Sequence, residues 1–260
     1  MTDFDIDFHC TMCGKCCHNL RLPVTVSEAI AWLERGGDVD VLCEALPWPE
    51  EPEAGNAEAA YRRERSYPTM SGTLPTRILI VLAASFAGPC PNLTASNGCG
   101  IYADRPLVCR IYPAEVNPFV RMTPGYKACP PDAWQGPPML RGGRMVDAAT
   151  LELVERSRLA GRQEIETKMK VCAALGLQDA ALANEGFVIH SPERSALLHA
   201  LQHAIGADTS PSPSTTWTYV SNRMKTVNAL QSVGAASVFA DTFDSDAHHY
   251  LGYFEAATEV

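Results

Sequence analysis

The chain has 260 residues, 46% of them hydrophobic and 20% charged, and a formal net charge of −9 with thiols counted as neutral. That length can bury a substantial core in one or two domains. The acidic balance, with no basic stripe, argues against nucleic acid as the main partner.

The opening residues, MTDFDIDFHC, are acidic where a secretory leader would be basic and then apolar, so a cytoplasmic protein is expected. Stable disulfides are disfavoured in that compartment. The segment TVSEAIAWLERGG follows the first cysteines and predicts a helix. Thr25 and Glu28 match a capping box, and Gly36 or Gly37 can end it. From Pro47 to Pro68 the chain is rich in proline and charge and reads as a surface loop. The best apolar run, ILIVLAASFA at 78–87, is too short to cross a bilayer and predicts a buried strand or short core helix, with no membrane partner. CPPDAWQGPPMLRGGR then reads as a Pro/Gly-rich connector.

Residues 147–175 predict one long helix or two shorter ones, with Ile165, Met169, Cys172 and Leu175 on one face and Gly176 as a stop. Ser191 is a candidate N-cap, with Pro192 at the first helical position. DTSPSPSTT, at 208–216, has the composition of a flexible Ser/Pro linker, and Trp217–Val260 has room for one or two further helices. The expected fold is therefore mainly α with irregular cysteine-rich loops. It comprises a metal-centred N-terminal domain, 1–138, and a helical extension, 139–260.

Of ten cysteines, eight fall in two groups: Cys10, Cys13, Cys16 and Cys17, then Cys90, Cys99, Cys109 and Cys129. Disulfides, a metal-free redox dithiol, zinc and an iron–sulfur cluster are the competing uses. Thiols two residues apart can grip one ion or cluster, because the turn between them aims both sulfurs inward and lets backbone N–H groups donate to them. Gly14 can take the left-handed angle that such a turn often needs. The C-x2-C-x2-C triplet matches the first three ligands of a bacterial ferredoxin run, but Cys17 is followed by His18 where that run has proline. Cys90-Pro91 and Cys129-Pro130 do carry the proline, so a distant fourth ligand is reasonable.

These features favour an iron–sulfur cluster, first of all [4Fe–4S], with zinc as the alternative, since the wide spacing of the second group suits zinc equally. Adjacent Cys16 and Cys17 diverge. Either they serve two centres, or one of them supports a centre held by the other. A centre with four thiolates carries a charge of about −2, whichever of the two metals it holds, and burying it calls for nearby cations. Arg105 and Arg110 are the candidates to offset that charge beside the site, against a plainer reading as solvated or structural ion pairs.

At this point the chain resembles the CxxCxxCC cysteine-cluster family, the YkgJ-type group described as a zinc- or iron-chelating domain. The resemblance rests on Cys10, Cys13, Gly14, Cys16 and Cys17; on Cys90 and Pro91; and on Cys99, Ile101, Tyr102, Arg105, Pro106, Cys109, Arg110, Tyr112 and Pro113, with Cys129 later. It covers roughly residues 8–131 and implies a metal or iron–sulfur centre held by these cysteines. Flagellin lysine-N-methylase carries a similar signature, so protein modification enters by analogy. However, no Gly-rich strand-to-helix loop for S-adenosylmethionine is present, and Leu20 stands where a C-x3-C-x2-C radical motif needs cysteine.

Cys43 and Cys172 are expected as small buried apolar residues. His9 and His18 are expected to take no part as ligands, His248 and His249 to be solvated, and Tyr102 and Tyr112 to pack over the Cys109 loop. Asp104 is a candidate cap or partner of Arg105. No Ser-His-Asp order, HExxH motif or P-loop is present, and no catalytic residue is assigned. Three functions follow: an iron–sulfur protein acting in redox chemistry or on a protein or peptide partner, a zinc-stabilised binding module, and a metal-handling chaperone.

Overall fold

A computed structural model describes residues 5–206, 216–243 and 247–255. The chain is a mixed α/β protein, 35% helix and 29% strand, with a nine-stranded sheet. This corrects the expectation of a mainly α fold. The described residues divide into two compact units, each discontinuous in sequence. One comprises Met1–Val24 and Ala84–Ala160, the other Thr25–Ala83 and Gly161–Val260. A single boundary between 138 and 139 does not describe that division.

In the second unit, strands Asp38–Pro47, Asp179–Leu182, Thr218–Ser221 and Ser237–Phe239 lie side by side in parallel. Gly186–His190 pairs antiparallel with Asp38–Pro47 and with His248–Gly252, and Tyr67–Ser71 pairs antiparallel with Leu74–Pro89. Parallel strands are covered on both faces and so read as continuous apolar runs. The run Val39–Ala45 fits that rule: it contains Val41, Leu42 and Cys43, and only Glu44 is not fully buried.

Helices Val26–Glu34, Ile165–Leu175, Arg194–Gly206 and Met224–Ser232 alternate with the strands, in the pattern of a parallel sheet with crossover helices. The helix after Thr25 starts where the sequence places it. Thr25 Oγ1 accepts from the Glu28 N–H at 3.3 Å, and Glu28 Oε2 accepts from the Thr25 N–H at 2.9 Å. The apolar run at 78–87 is part of a strand, and the 147–175 segment is two helices, Ala148–Gln163 and Ile165–Leu175.

Other local expectations are corrected. The Pro47–Pro68 stretch contains helix Ala57–Arg63, capped by Asn56, and the start of strand Tyr67–Ser71. Helix Arg194–Gly206 is opened by Glu193, whose carboxylate accepts from the Ala196 N–H, while Ser191 donates to Asp40 instead. The tail is a strand–helix–strand–strand segment because its short apolar runs find sheet partners. The Ser/Pro linker lies outside the described residues except for Thr216, which bridges to Met70.

The first unit holds a small antiparallel sheet of Ile6–Asp7, Pro138–Arg141 and Arg144–Met145. Gly142 and Gly143 both have positive φ, as the tight hairpin turn between the last two strands requires. The segment read as a connector is therefore a 3-10 turn, Pro131–Gln135, followed by this hairpin. Ile6, Met122, Met139 and Leu140 form one small core, with Phe8 and Trp134 against it. Leu107 and Ile111, from helix Leu107–Ile111, pack on Val154 in a second. Strand His18–Val24 pairs with strand Leu74–Pro89, whose last residues, from Ala84, belong to this unit. Every grouped cysteine lies in the first unit.

Candidate metal centre

The early cysteines occupy an irregular turn ahead of strand His18–Val24. Gly14, at φ +71°, lets the chain double back, and its carbonyl accepts from the Cys17 N–H at 2.9 Å and pairs with His18 Nδ1 at 3.2 Å. A Cβ at Gly14 would stand 3.2 Å from both Asn97 and Leu93, so the turn packs tightly on the loop between Cys90 and Cys99.

That loop is tied directly to the first group. The Cys90 N–H donates to the Cys17 carbonyl at 2.8 Å. Leu93 N–H bonds back to the Cys90 carbonyl at 2.9 Å, and Gly100 N–H to the Asn92 carbonyl at 2.7 Å, bringing Cys99 opposite Leu93. The Cys90 sulfur also receives hydrogen bonds from the Asn92 backbone, its side chain and the Leu93 backbone. This is the N–H-to-sulfur arrangement expected of a ligand turn.

Cys109 lies in helix Leu107–Ile111, and Cys129 follows the 3-10 turn Pro124–Tyr126. Tyr112 Oη accepts the Ala128 N–H at 2.9 Å and hydrogen-bonds to the Cys129 sulfur. At the other end, His9 N–H donates to the Ala133 carbonyl at 2.9 Å and Phe8 N–H to Pro137 at 3.0 Å. Cys10 is thus held beside the chain that follows Cys129.

The thiols act on one another electrostatically. Burial first, then the neighbouring Cys17, Cys129 and Cys10, push Cys16 up to about 12. Cys109 is pushed up to about 12 by burial and by Cys17, Cys90 and Cys99, against the opposing charge of Arg105. Burial raises Cys17, Cys90 and Cys129, and it raises the Tyr112 phenol. Crowded, part-buried thiols resist ionisation one by one, and a bound cation reverses that balance.

Cations stand at the edge. Arg105 lies 3.7 Å over the Tyr102 ring, bonds the Tyr102 carbonyl and draws Cys109 toward its thiolate. Lys127 does the same for Cys129 while paired to Glu115 at 2.6 Å. Arg110 is exposed beside Cys109.

The donor set suits a thiophilic ion or cluster, with sulfurs from both groups gathered, N–H donors aimed at one of them and cations nearby. It is not a closed cage. Among the described residues, no group of three or more His, Cys, Asp or Glu side chains is placed to hold a metal ion as it stands.

Tyr112, expected to pack over the Cys109 loop, directly follows helix Leu107–Ile111, and its hydroxyl bonds at Ala128 and Cys129. Tyr102 is exposed and packs with Arg105. His9 and His18 are exposed. Cys43 and Cys172 are fully buried, as expected. His248 is not solvated as expected: it is half-buried, with its ring 4.3 Å from Phe243 and Nε2 on the Phe243 carbonyl.

Among the described residues, no helix is long and apolar enough to cross a membrane. Residues 9–130 match the CxxCxxCC family model, described as a "putative zinc- or iron-chelating domain". No curated protein and no solved structure matches the chain.

Proposed function

We propose, from the match of residues 9–130 to the CxxCxxCC family model, that the chain is a metalloprotein whose two cysteine groups bind an iron–sulfur cluster. The observation that carries this reading is the tie between the groups, in which the Cys90 N–H bonds to the Cys17 carbonyl at 2.8 Å. That bond ties together two cysteine groups remote in sequence within a single unit.

Cys10, Cys13, Cys16, Cys17, Cys90, Cys99, Cys109 and Cys129 are the candidate ligands. Asn92 and Leu93 donate to sulfur at Cys90, Tyr112 holds Cys129, and Arg105 and Lys127 offset the thiolate charge. A bound cluster supplies one-electron chemistry. The protein's own part is to orient the sulfurs, to limit water around the part-buried Cys109 and to tune the centre through these donors.

Anaerobic purification with metal and acid-labile sulfide analysis tests this. Brown protein with iron and sulfide, bleached by dithionite, is the expected result. Colourless protein with near-stoichiometric zinc and no response to reduction would replace the cluster with a structural zinc site.

A further inference from the structure

We propose that the eight thiols form two four-sulfur centres, Cys10, Cys13, Cys16 and Cys129 in one and Cys17, Cys90, Cys99 and Cys109 in the other. Each takes one thiophilic ion or cluster. The assignment rests on the metal-binding reading above and goes beyond it by fixing which sulfurs work together.

Backbone bonds on either side of the cysteine turn carry the division. Cys17 is pinned to Cys90 by the 2.8 Å bond from the Cys90 N–H. The Cys90 loop is folded by Gly100 N–H on the Asn92 carbonyl so that Cys99 returns beside Leu93. At the other end, His9 N–H on the Ala133 carbonyl, at 2.9 Å, ties Cys10 to the chain just after Cys129. Cys16 and Cys17 are adjacent and their sulfurs stand 3.9 Å apart, so the two places adjoin at this pair.

Electrostatic neighbours follow the same split. Cys109 senses Cys17, Cys90 and Cys99. Cys129 senses Cys13 and Cys10, and Cys16 senses Cys129 and Cys10 besides the adjoining Cys17. Tyr112 bonds Cys129 and lies near Cys16, both of the first set. Two pairs cross the division: the adjacent Cys16 and Cys17, and Cys10, which reaches Cys17 behind Cys90 and Cys99 in effect. Two centres adjoining through the Cys16–Cys17 peptide account for both.

The first set, read in order, is C-x2-C-x2-C followed later by Cys129-Pro130, which completes the ferredoxin-type pattern. The second set contains the other Cys-Pro pair, Cys90-Pro91.

The test is metal content of the full chain, purified anaerobically as wild type and as three double variants. Cys13→Ser with Cys129→Ser, or Cys99→Ser with Cys109→Ser, should each leave about half of the wild-type metal; Cys13→Ser with Cys109→Ser should leave almost none. A crossed variant no poorer in metal than the other two would overturn the assignment.

Cobalt titration of the reduced wild-type chain needs no variant to fold. The thiolate-to-cobalt absorption should climb to a plateau at about two equivalents, with band intensity of four-thiolate sites. A plateau at one equivalent ends the two-centre assignment and leaves the metal reading standing. Wild-type protein that takes up neither iron, zinc nor cobalt ends the metal reading itself.

Discussion

Tyr112 concentrates much of the site's local chemistry in one hydroxyl. Its oxygen accepts the Ala128 N–H at 2.9 Å and bonds the Cys129 sulfur, so it fixes both the backbone and the thiol at one position. Tyr112→Phe keeps the ring and removes both bonds. A net hydrogen bond is worth about 1 kcal/mol, so release of metal to a chelator should quicken roughly fivefold with little change in the fold. Stopped-flow chelation measures this, and an unchanged rate would mean that the hydroxyl does not support a ligand. Gly14 is the other sensitive residue. Alanine there would hold φ +71° against its preference and press its Cβ to 3.2 Å from Asn97 and Leu93. The left-handed angle alone costs about 1–2 kcal/mol. Gly14→Ala should therefore lower the thermal midpoint and the metal content together, whereas Gly36→Ala, a left-handed glycine with nothing within 4 Å of its Cβ, should lower the midpoint alone.

Elements held by local bonds were legible in the sequence; those held by distant partners were not. Helix Val26–Glu34 announced itself because Thr25 and Glu28 bond each other across three residues. Thr25→Ala should cost about 1 kcal/mol, read as a shift in the urea midpoint at constant slope. Strand Asp179–Leu182 (DAAL) has no β-branched or aromatic residue and Ser237–Phe239 (SVF) is too short to announce a strand, and their parallel neighbours make them strands. The ligand turns show the same contrast. All eight grouped cysteines could be picked out by spacing, but their division depends on ties such as Cys90 to Cys17 and His9 to Ala133 that no local pattern encodes.

Strand Gly186–His190 adds a pH dependence of its own. His190 is buried at 3% exposure, with Nε2 donating to the Asp179 carbonyl at 2.9 Å. Burial lowers its pKa, and nearby His248 lowers it further, while Asp179 pulls the other way. The unfolded chain then binds the proton first, so this contribution is complete above the ordinary imidazole value of about 6.5 and is lost as pH falls through the lowered folded value. The raised Asp179 carboxyl has the opposite sign, since its folded form holds the proton more tightly. His190→Gln keeps an amide donor for the carbonyl and cannot titrate. Its thermal midpoint should change less than wild type as pH drops just below 6.5, and parallel curves would remove His190 as the cause.

At the scale of the whole molecule, the two units differ in what can stabilise them. The unit of residues 25–83 and 161–260 has a large sheet with buried strands and helices that bury apolar faces. Among the described residues, the unit of residues 1–24 and 84–160 has two small apolar clusters, short strands, most of helix Ala148–Gln163 and a succession of turns, and it contains every grouped thiol. Cores that small contribute little against the entropy of ordering so many turn residues. A bound centre supplies the difference; in small zinc domains the apparent binding energy is about 10–16 kcal/mol. Removing metal under reducing conditions should therefore collapse hydrogen-exchange protection across residues 5–24 and 84–160. Strands Asp38–Pro47 and Gly186–His190 should exchange nearly as slowly as before. Comparison of the metal-loaded and stripped full chain by exchange mass spectrometry decides it. Equal loss in both units would mean that the centre stabilises the protein as one cooperative body, and no loss in the cysteine-bearing unit would mean that its turns hold without metal.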